Sequence, residues 1–350
     1  MNMYQHRLDK DQDVIVMKYN GPIRAETGGE DERKKQSASG TITTTVKTVN
    51  YICLSSSMWL KVLVVAAGVY IGLTLTDNID SELIRGKNVI ITGASTGIGE
   101  QMAYHYARLG AKLLITARRE HVLQKVIERC KEIGGPEGEF HYFVADMADL
   151  SATKLLIEHA ESVLGGIDYL VLNHIALSPV APWVGSDKNL TLVDTLYTVN
   201  TKSYIHLTSH ALPLLEQSRG HIVAVSSLAG KVPHPYIISY SSSKFALDGF
   251  FSGLRIEFSL RKIDVSVTLC LLGFVGTENA VQQLRNYGFK GIVDYVPMST
   301  PSSAALAIVK GGADRAREVY YPFMQVRSMT LLRDIIPGTL AQIIGLVFSH

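Results

Sequence analysis

From Asn88 to Pro322 the chain alternates short apolar, β-branched runs with amphipathic stretches of helical length, and this alternation limits the possible folds more than any other feature. "NVIIT" opens the series at Asn88, and "AKLLITA", "FHYFVA", "DYLVLN", "HIVAVSS" and "VSVTLCLL" continue it. "EVYYP" (Glu318–Pro322) reads as a closing strand, and segments such as "IGEQMAYHYARLG" and Glu120–Ile133 read as the helices between. The strands are apolar on both faces, so both must be covered, and strands joined through helices run parallel. The expected class is α/β, a single doubly wound parallel sheet with helices on both faces over residues 77–330. No internal repeat and no second domain is visible.

The first strand runs into "TGASTGIG", Thr92 to Gly99. Glycines 93, 97 and 99 permit positive φ, a close approach of backbone to a pyrophosphate, and tight packing of the new helix on the strand. The helix N-terminus then directs N–H groups and a partial positive charge at that anion. Its position between first strand and first helix makes the glycine triplet a Rossmann-type dinucleotide cradle. The second strand ends in "ITARRE", with no acid before Glu120. Arg118 and Arg119 therefore stand where a carboxylate would hold a ribose 2′-hydroxyl, and guanidiniums suit a 2′-phosphate. NADP(H) is expected over NAD(H), with Arg118 placed ahead of Arg119. Asp146, after the third strand, either accepts from the adenine amino group or caps the following helix.

In "YSSSK" Tyr240 and Lys244 lie one helical turn apart, on one face. Upstream, "VAVSSLAG" ends a strand in two serines, where strand ends of open parallel sheets meet a ligand crevice, and Ser227 is the second. Hydride arriving at a carbonyl carbon leaves an alkoxide, which a phenol can protonate. In reverse the phenolate must form, against a reference pKa near 10. A positive charge about 4 Å away contributes roughly 4 kcal/mol at an effective dielectric near 20, which lowers the phenol's pKa by at most about 3. Ser227 would orient the substrate oxygen. Asn200, in "YTVNTKSY", either bends its helix and holds a water linking Lys244 to solvent or is a satisfied core amide. His174, in "LNHI", reads on its own as a packing residue.

The formal net charge is +2 with no basic block, which argues against nucleic-acid binding. Cys53, Cys130 and Cys270 show neither paired nor metal-type spacing, so no metal site is expected. Residues 1–57 mix charges (Gly28–Lys35) with a threonine-rich stretch (Thr41–Thr48) and read as a disordered extension. Residues 58–76, "MWLKVLVVAAGVYIGLTLT", are interrupted only by Lys61 and are long enough to cross a bilayer, as a signal-anchor or a cleaved signal peptide. Lys47 and Lys61 precede the core of this segment, and Asp77, Asp80 and Glu82 follow it. That asymmetry keeps the N-terminus cytosolic and sends the main domain across the membrane. The sequon at Asn189 would be glycosylated only there. At the other end, "LLRDIIPGTLAQIIGLVF" is broken by Arg333, Asp334, Pro337 and Gly338, and reads as a monotopic or oligomer-facing helix pair.

Taken together, "TGASTGIG", "AYHYARLGA", "DYLVLNHI", "VSSLAGKVP", "YSSSKFALDGFF", "TLCLLGF" and "KGGADRAREVYYP" resemble the short-chain dehydrogenase/reductase family from about Lys87 to Tyr321, and within it the 11β-hydroxysteroid dehydrogenase group. The resemblance implies NADP(H)-dependent interconversion of a ketone and a secondary alcohol on a steroid or similar lipophile. It assigns Ser227, Tyr240 and Lys244 to the catalytic triad and Asn200 to a fourth, water-holding role. Gly93, Ser95, Thr96, Gly97, Ile98 and Gly99 fall in the cofactor loop, Asn173 beside the adenosine ribose, and Thr277 near the nicotinamide amide. Met147, His174, Ile175 and Gly273 complete the cofactor surface, together with Arg118, Arg119, Asp146, Tyr240 and Lys244.

The resemblance further implies a single membrane anchor with the catalytic domain in the endoplasmic reticulum lumen, secretion if the anchor is cleaved, and a homodimer formed through the helix of Tyr240. Asn279–Val296 would form a lid over the pocket. The chain departs from the group at Thr96, where a lysine is found near the cofactor phosphate, and at His234 in "KVPHPYII", where an aromatic phenol is found. Ala176–Asn189 diverges as well. These departures leave the substrate open among steroid, retinal and other lipid carbonyls. A cofactor-binding scaffold without turnover is the alternative outside enzymology.

Overall fold

The computed structural model describes residues 4–8, 15–19, 79–135, 138–286 and 298–348. The chain divides into two compact units, Met1–Asp77 and Asn78–His350. In the first, β1 (Tyr4–Leu8) pairs antiparallel with β2 (Ile15–Tyr19), Tyr4 opposite Tyr19. For these ten residues the expectation of disorder is replaced by a strand pair. The β-branched and aromatic residues of Ile15–Tyr19 supply strand propensity. The rest of residues 1–57 and the expected membrane segment 58–76 lie outside the described residues. Among the described residues no helix is long and apolar enough to cross a membrane.

The second unit is built on seven parallel strands. They are β3 (Asn88–Thr92), β4 (Lys112–Ala117), β5 (Phe140–Val144), β6 (Tyr169–Leu172), β7 (His221–Ser227), β8 (Ser266–Leu272) and β9 (Glu318–Tyr321), in the order β5-β4-β3-β6-β7-β8-β9. "EVYYP" does close the sheet, parallel to β8. The chain starts at the centre with β3, moves outward to β5, then returns to lay β6 on the other flank of β3. A crevice therefore opens between β3 and β6 at the carboxyl ends of the strands, where ligands of such sheets bind.

The helices are α1 (Gly97–Arg108), α2 (Glu120–Gly134), α3 (Ser151–Leu164), α4 (Asp187–Tyr197), α5 (Ser203–Ser218), α6 (Ile238–Arg261), α7 (Glu278–Asn286), α8 (Pro301–Ala313), α9 (Phe323–Ile335) and α10 (Pro337–Phe348). Because strand side chains alternate between faces, each strand feeds two cores. Val89, Ile91, Leu113 and Ile115 meet Met102, Tyr106, Leu123 and Ile308 from α1, α2 and α8. Ile90, Leu114, Leu170 and Ile222 meet Leu156, Leu207, Leu247 and Phe251 from α3, α5 and α6. The doubly covered sheet expected from the continuous apolar runs is the one observed.

Pro337 splits the apolar C-terminal stretch into α9 and α10. Val326 and Leu340 pack into the second core, while Met324, Leu331, Ile335, Ile343 and Leu346 remain exposed. The pair is thus docked on one face and open on the other.

Phe251, fully buried on α6, anchors that helix to the sheet. Phe251→Ala should destabilise the full chain by about 3–5 kcal/mol in urea unfolding, without a change in the unfolding m-value.

Candidate active site

The carboxyl ends of β3 to β8, with α6 and α7, enclose one cleft of about 1140 Å³. Of the residues singled out in the sequence, Gly93, Ser95, Thr96, Gly97, Ile98, Arg118, Arg119, Asp146, Met147, Asn173, His174, Ile175, Ser227, Tyr240, Lys244, Gly273 and Thr277 all line it. Gly99 and Asn200 are buried behind its wall.

Two close backbone approaches make the glycine loop tight. Gly93 has φ +67°, and a Cβ there would come within 2.6 Å of the His174 Cα. A Cβ on Gly99 would meet the Gly93 carbonyl at 2.3 Å, so the first turn of α1 sits directly on the loop. Thr96, the N-cap of α1, is extended and makes no side-chain capping bond. The first-turn amides of α1 are left for an anion in the cleft. Beside them, Arg119 Nη2 donates to Ser95 Oγ at 3.2 Å and to Thr96 Oγ1 at 3.5 Å. Arg118 lies 3.9 Å from Asp146, in an exposed pair that holds neither group firmly. Asp146 accepts from the Ala148 N–H at 3.0 Å, a local turn, while the helix-start contact to Ser151 falls to Asp149. Asp146 does not cap α3. The donor set fits the phosphates of a dinucleotide.

Thr92 ties the loop to its neighbours through contacts that no local sequence signal marks. Its hydroxyl donates to Val171 O at 3.2 Å and accepts from the Asn173 N–H at 2.9 Å. Asn173 in turn donates to the carbonyls of Thr92 and Gly93. His174 is buried, with Nδ1 2.8 Å from Thr92 Oγ1 and Nε2 2.6 Å from Ser203 Oγ. Burial and the nearby Lys244 charge push its pKa down to about 3, so it is a neutral packing residue, as its sequence context implies.

On the far wall Ser227 accepts from the Ala229 N–H at 3.1 Å and shares a side-chain hydrogen bond with Tyr240. Tyr240 is half-buried by area, yet its phenol is enclosed closely enough that desolvation pushes its pKa up to about 12, opposed by the Ser227 hydrogen bond. Lys244 is 2% exposed; its Nζ donates to Val225 O at 3.0 Å and sits 5.2 Å from the Tyr204 ring centroid. Burial pulls its pKa down to about 7. Burial, and not the downward pull of Lys244 expected from the spacing alone, sets the direction of the phenol's shift here. A lysine that discharges near neutrality also exerts less of that pull.

Asn200 lies in a π-helical turn, Thr198–Lys202, between α4 and α5. Its Oδ1 accepts from the Ala176 N–H at 2.7 Å, and its Nδ2 donates to Ala176 O at 3.0 Å and Ser243 Oγ at 3.3 Å. The side-chain amide is satisfied within the protein. The amide joins the β6 loop to α6 next to Lys244, and both of its hydrogens are engaged by protein. The sequence does carry a signal for Tyr204, whose ring borders Lys244: it falls one helical turn after Asn200, on the same face. His234 also lines the cleft, with its Nδ1–H donating to Val232 O at 2.8 Å. Gln283 of α7 donates to Ser178 O, linking the expected lid to the diverged loop; residues 287–297 of that lid lie outside the described residues.

The short chain dehydrogenase family model matches residues 87–287. A hydroxysteroid 11-beta-dehydrogenase 1-like protein of Xenopus tropicalis is 48% identical over 281 residues, 80% of this chain and 92% of that protein. Its namesake from Gallus gallus is 47% identical over 71% of this chain and 82% of its own. A short chain dehydrogenase/reductase from Burkholderia phymatum, solved in complex with NAD, superposes with a TM-score of 0.63 at 20% identity, over 72% of this chain and 95% of its own. With its crevice, its glycine loop and its serine, tyrosine and lysine in one cleft, the chain belongs to the short-chain dehydrogenase/reductase family of oxidoreductases.

Proposed function

We propose that the protein is an NADP(H)-dependent oxidoreductase that interconverts a ketone and a secondary alcohol on a steroid or similar lipophilic substrate, with Tyr240 as the acid/base group. The observation that carries this reading is the meeting of Ser227, Tyr240 and Lys244 across the cleft from the glycine loop. The names of the relatives favour a hydroxysteroid. Arg118 and Arg119, with no acid at the end of β4, favour the 2′-phosphorylated cofactor.

NADP(H), when bound, donates or accepts the hydride. This chain's residues do the rest. Ser227 donates a hydrogen bond to the substrate oxygen and fixes its direction. Tyr240, kept protonated by its enclosure, gives its proton to the oxygen as negative charge develops there. Lys244, poised near neutrality, supplies charge or a proton next to the phenol. The reading extends to a lumenal domain anchored in the endoplasmic reticulum membrane through residues 58–76. It also includes a homodimer formed through α6, whose Ile256 and Leu260 are exposed.

NADPH oxidation by the full chain, against steroid ketones, retinal and small carbonyls, tests the proposal. Tyr240→Phe should lower kcat by at least about 100-fold and leave NADPH affinity unchanged. Turnover of retinal or small carbonyls alone would keep the chemistry and discard the steroid. Tight NADPH binding with no turnover of anything would sink the enzymatic reading in favour of a scaffold.

Replacing Arg118 and Arg119 together by Ala should weaken NADPH binding by about 10- to 100-fold, the worth of one charge-assisted contact, and leave NADH binding nearly untouched. Equal losses for both cofactors would remove the 2′-phosphate role.

Lys244 has a second consequence. Its folded pKa, about 7, lies below the ordinary 10.5, so between these values the unfolded chain binds more protons. Stability relative to Lys244→Met should therefore rise with pH from about 7 towards 10.5, the burial penalty being fully present below 7. A pH-independent difference would show that the ammonium is not buried.

A further inference from the structure

Lys231 lies outside the catalytic set, four residues beyond Ser227 and on the far side of a single turn, Leu228–Gly230. Its Nζ reaches two carboxylates: Asp248 of α6 at 2.7 Å and Glu318, the first residue of β9, at 3.1 Å. All three side chains are at most one-quarter exposed. Asp248 stands one helical turn beyond Lys244 on α6. The two elements that hold the reactive groups are therefore cross-linked by an ion pair at the same remove from each.

The turn between Ser227 and Lys231 is what aims the Ser227 hydroxyl. The Ala229 N–H donates to Ser227 Oγ, and the Lys231 N–H closes the turn on Leu228 O at 2.9 Å. The turn also bears directly on α6, since a Cβ on Gly230 would come within 2.9 Å of Lys244 O and 2.8 Å of Ser226 Oγ. One end of this turn is fixed by β7. The other is fixed by the Lys231 side chain and by Arg333 of α9, which donates to Lys231 O at 2.5 Å. A lone ion pair at the surface would do little. This one is largely buried with two anions on one cation, so deleting the cation leaves the carboxylates with the Tyr320 hydroxyl on Glu318 and the longer-range charge of Arg255.

We propose that Lys231 is a positioning residue that, by clamping Asp248 and Glu318, sets the alignment of the Ser227 hydroxyl against Tyr240 and Lys244. The clamp acts on the Leu228–Gly230 turn and touches neither substrate nor cofactor. Its effect on turnover rests on the function proposed above; its effect on the turn does not.

The test uses the full chain with Lys231→Met, Lys231→Arg and, because Lys231→Met removes the cation that pairs directly with both carboxylates, the triple variant Lys231→Met/Asp248→Asn/Glu318→Gln, in which all three side chains are uncharged. Two quantities are read: hydrogen exchange of the amides at 229–232, and kcat and KM with the best carbonyl found. Lys231→Met and the triple variant should exchange these amides at least tenfold faster and lose at least tenfold in kcat, with the KM for NADPH unchanged. Lys231→Arg should restore both towards wild type. Wild-type exchange rates in both folded cation-less variants would overturn the clamp, as would faster exchange with undiminished kcat. If Lys231→Met does not fold, the triple variant decides. If the wild type turns over no carbonyl, the functional reading fails and the exchange rates alone decide whether Lys231 holds the turn.

Discussion

The feature around which the rest of this site is arranged is a lysine ammonium placed almost wholly out of water. Lys244 is 2% exposed, and an unpaired cation in such surroundings is costly. Among the described residues no carboxylate forms an ion pair with it. The Val225 carbonyl and the face of the Tyr204 ring partly compensate, and the ammonium loses its proton more readily than lysine ordinarily does. The residues around it are held in turn. The Tyr204 hydroxyl donates to His174 O at 2.8 Å, and Asn200 and Thr201 both bond Ser243, next to Lys244 on α6. A side chain with four rotatable bonds is enclosed by neighbours held from β7, from the segment after β6 and from its own helix.

How much of this is legible in the sequence depends on the range of the interaction. The strands were legible because a doubly covered parallel sheet needs continuous apolar runs; "NVIIT" and "HIVAVSS" coincide with β3 and β7 to the residue. The glycine loop was legible because positive φ and close contact both select glycine. Tyr240 and Lys244 were legible because a helix fixes what lies one turn away. Their ionisation was not: pairwise charge could be read from spacing, but desolvation depends on the whole enclosure. Thr92, Ala176 and Lys231 were missed for a related reason. Their partners lie 81, 24 and 87 residues away, in the Thr92–Asn173, Ala176–Asn200 and Lys231–Glu318 contacts, and nothing local marks those pairings.

Asn200 shows how a residue's position and its atoms can carry different information. The π turn carries it, and its side-chain amide bonds Ala176 and Ser243. What the side chain supplies is a fixed distance between the β6 loop and α6. The tight turns of this cleft, at Gly93 and at Gly230, make the same point: a β-carbon would collide with another segment's backbone, so each glycine records a contact and not a flexible joint.

The reversal of strand order between β3 and β6 divides the cleft into two independently built walls. The groups that would choose a cofactor, from Ser95 to Asp146, hang on β3, β4 and β5. Those that would handle the proton and meet the substrate, from Ser227 to Gln283, hang on β7, β8, α6 and α7. The centre is bridged by the Thr92, Asn173 and His174 contacts. A lineage can therefore exchange the residues of one wall while inheriting the other intact. In this chain Arg118 and Arg119 on the first wall, and His234 on the second, are free to have separate histories.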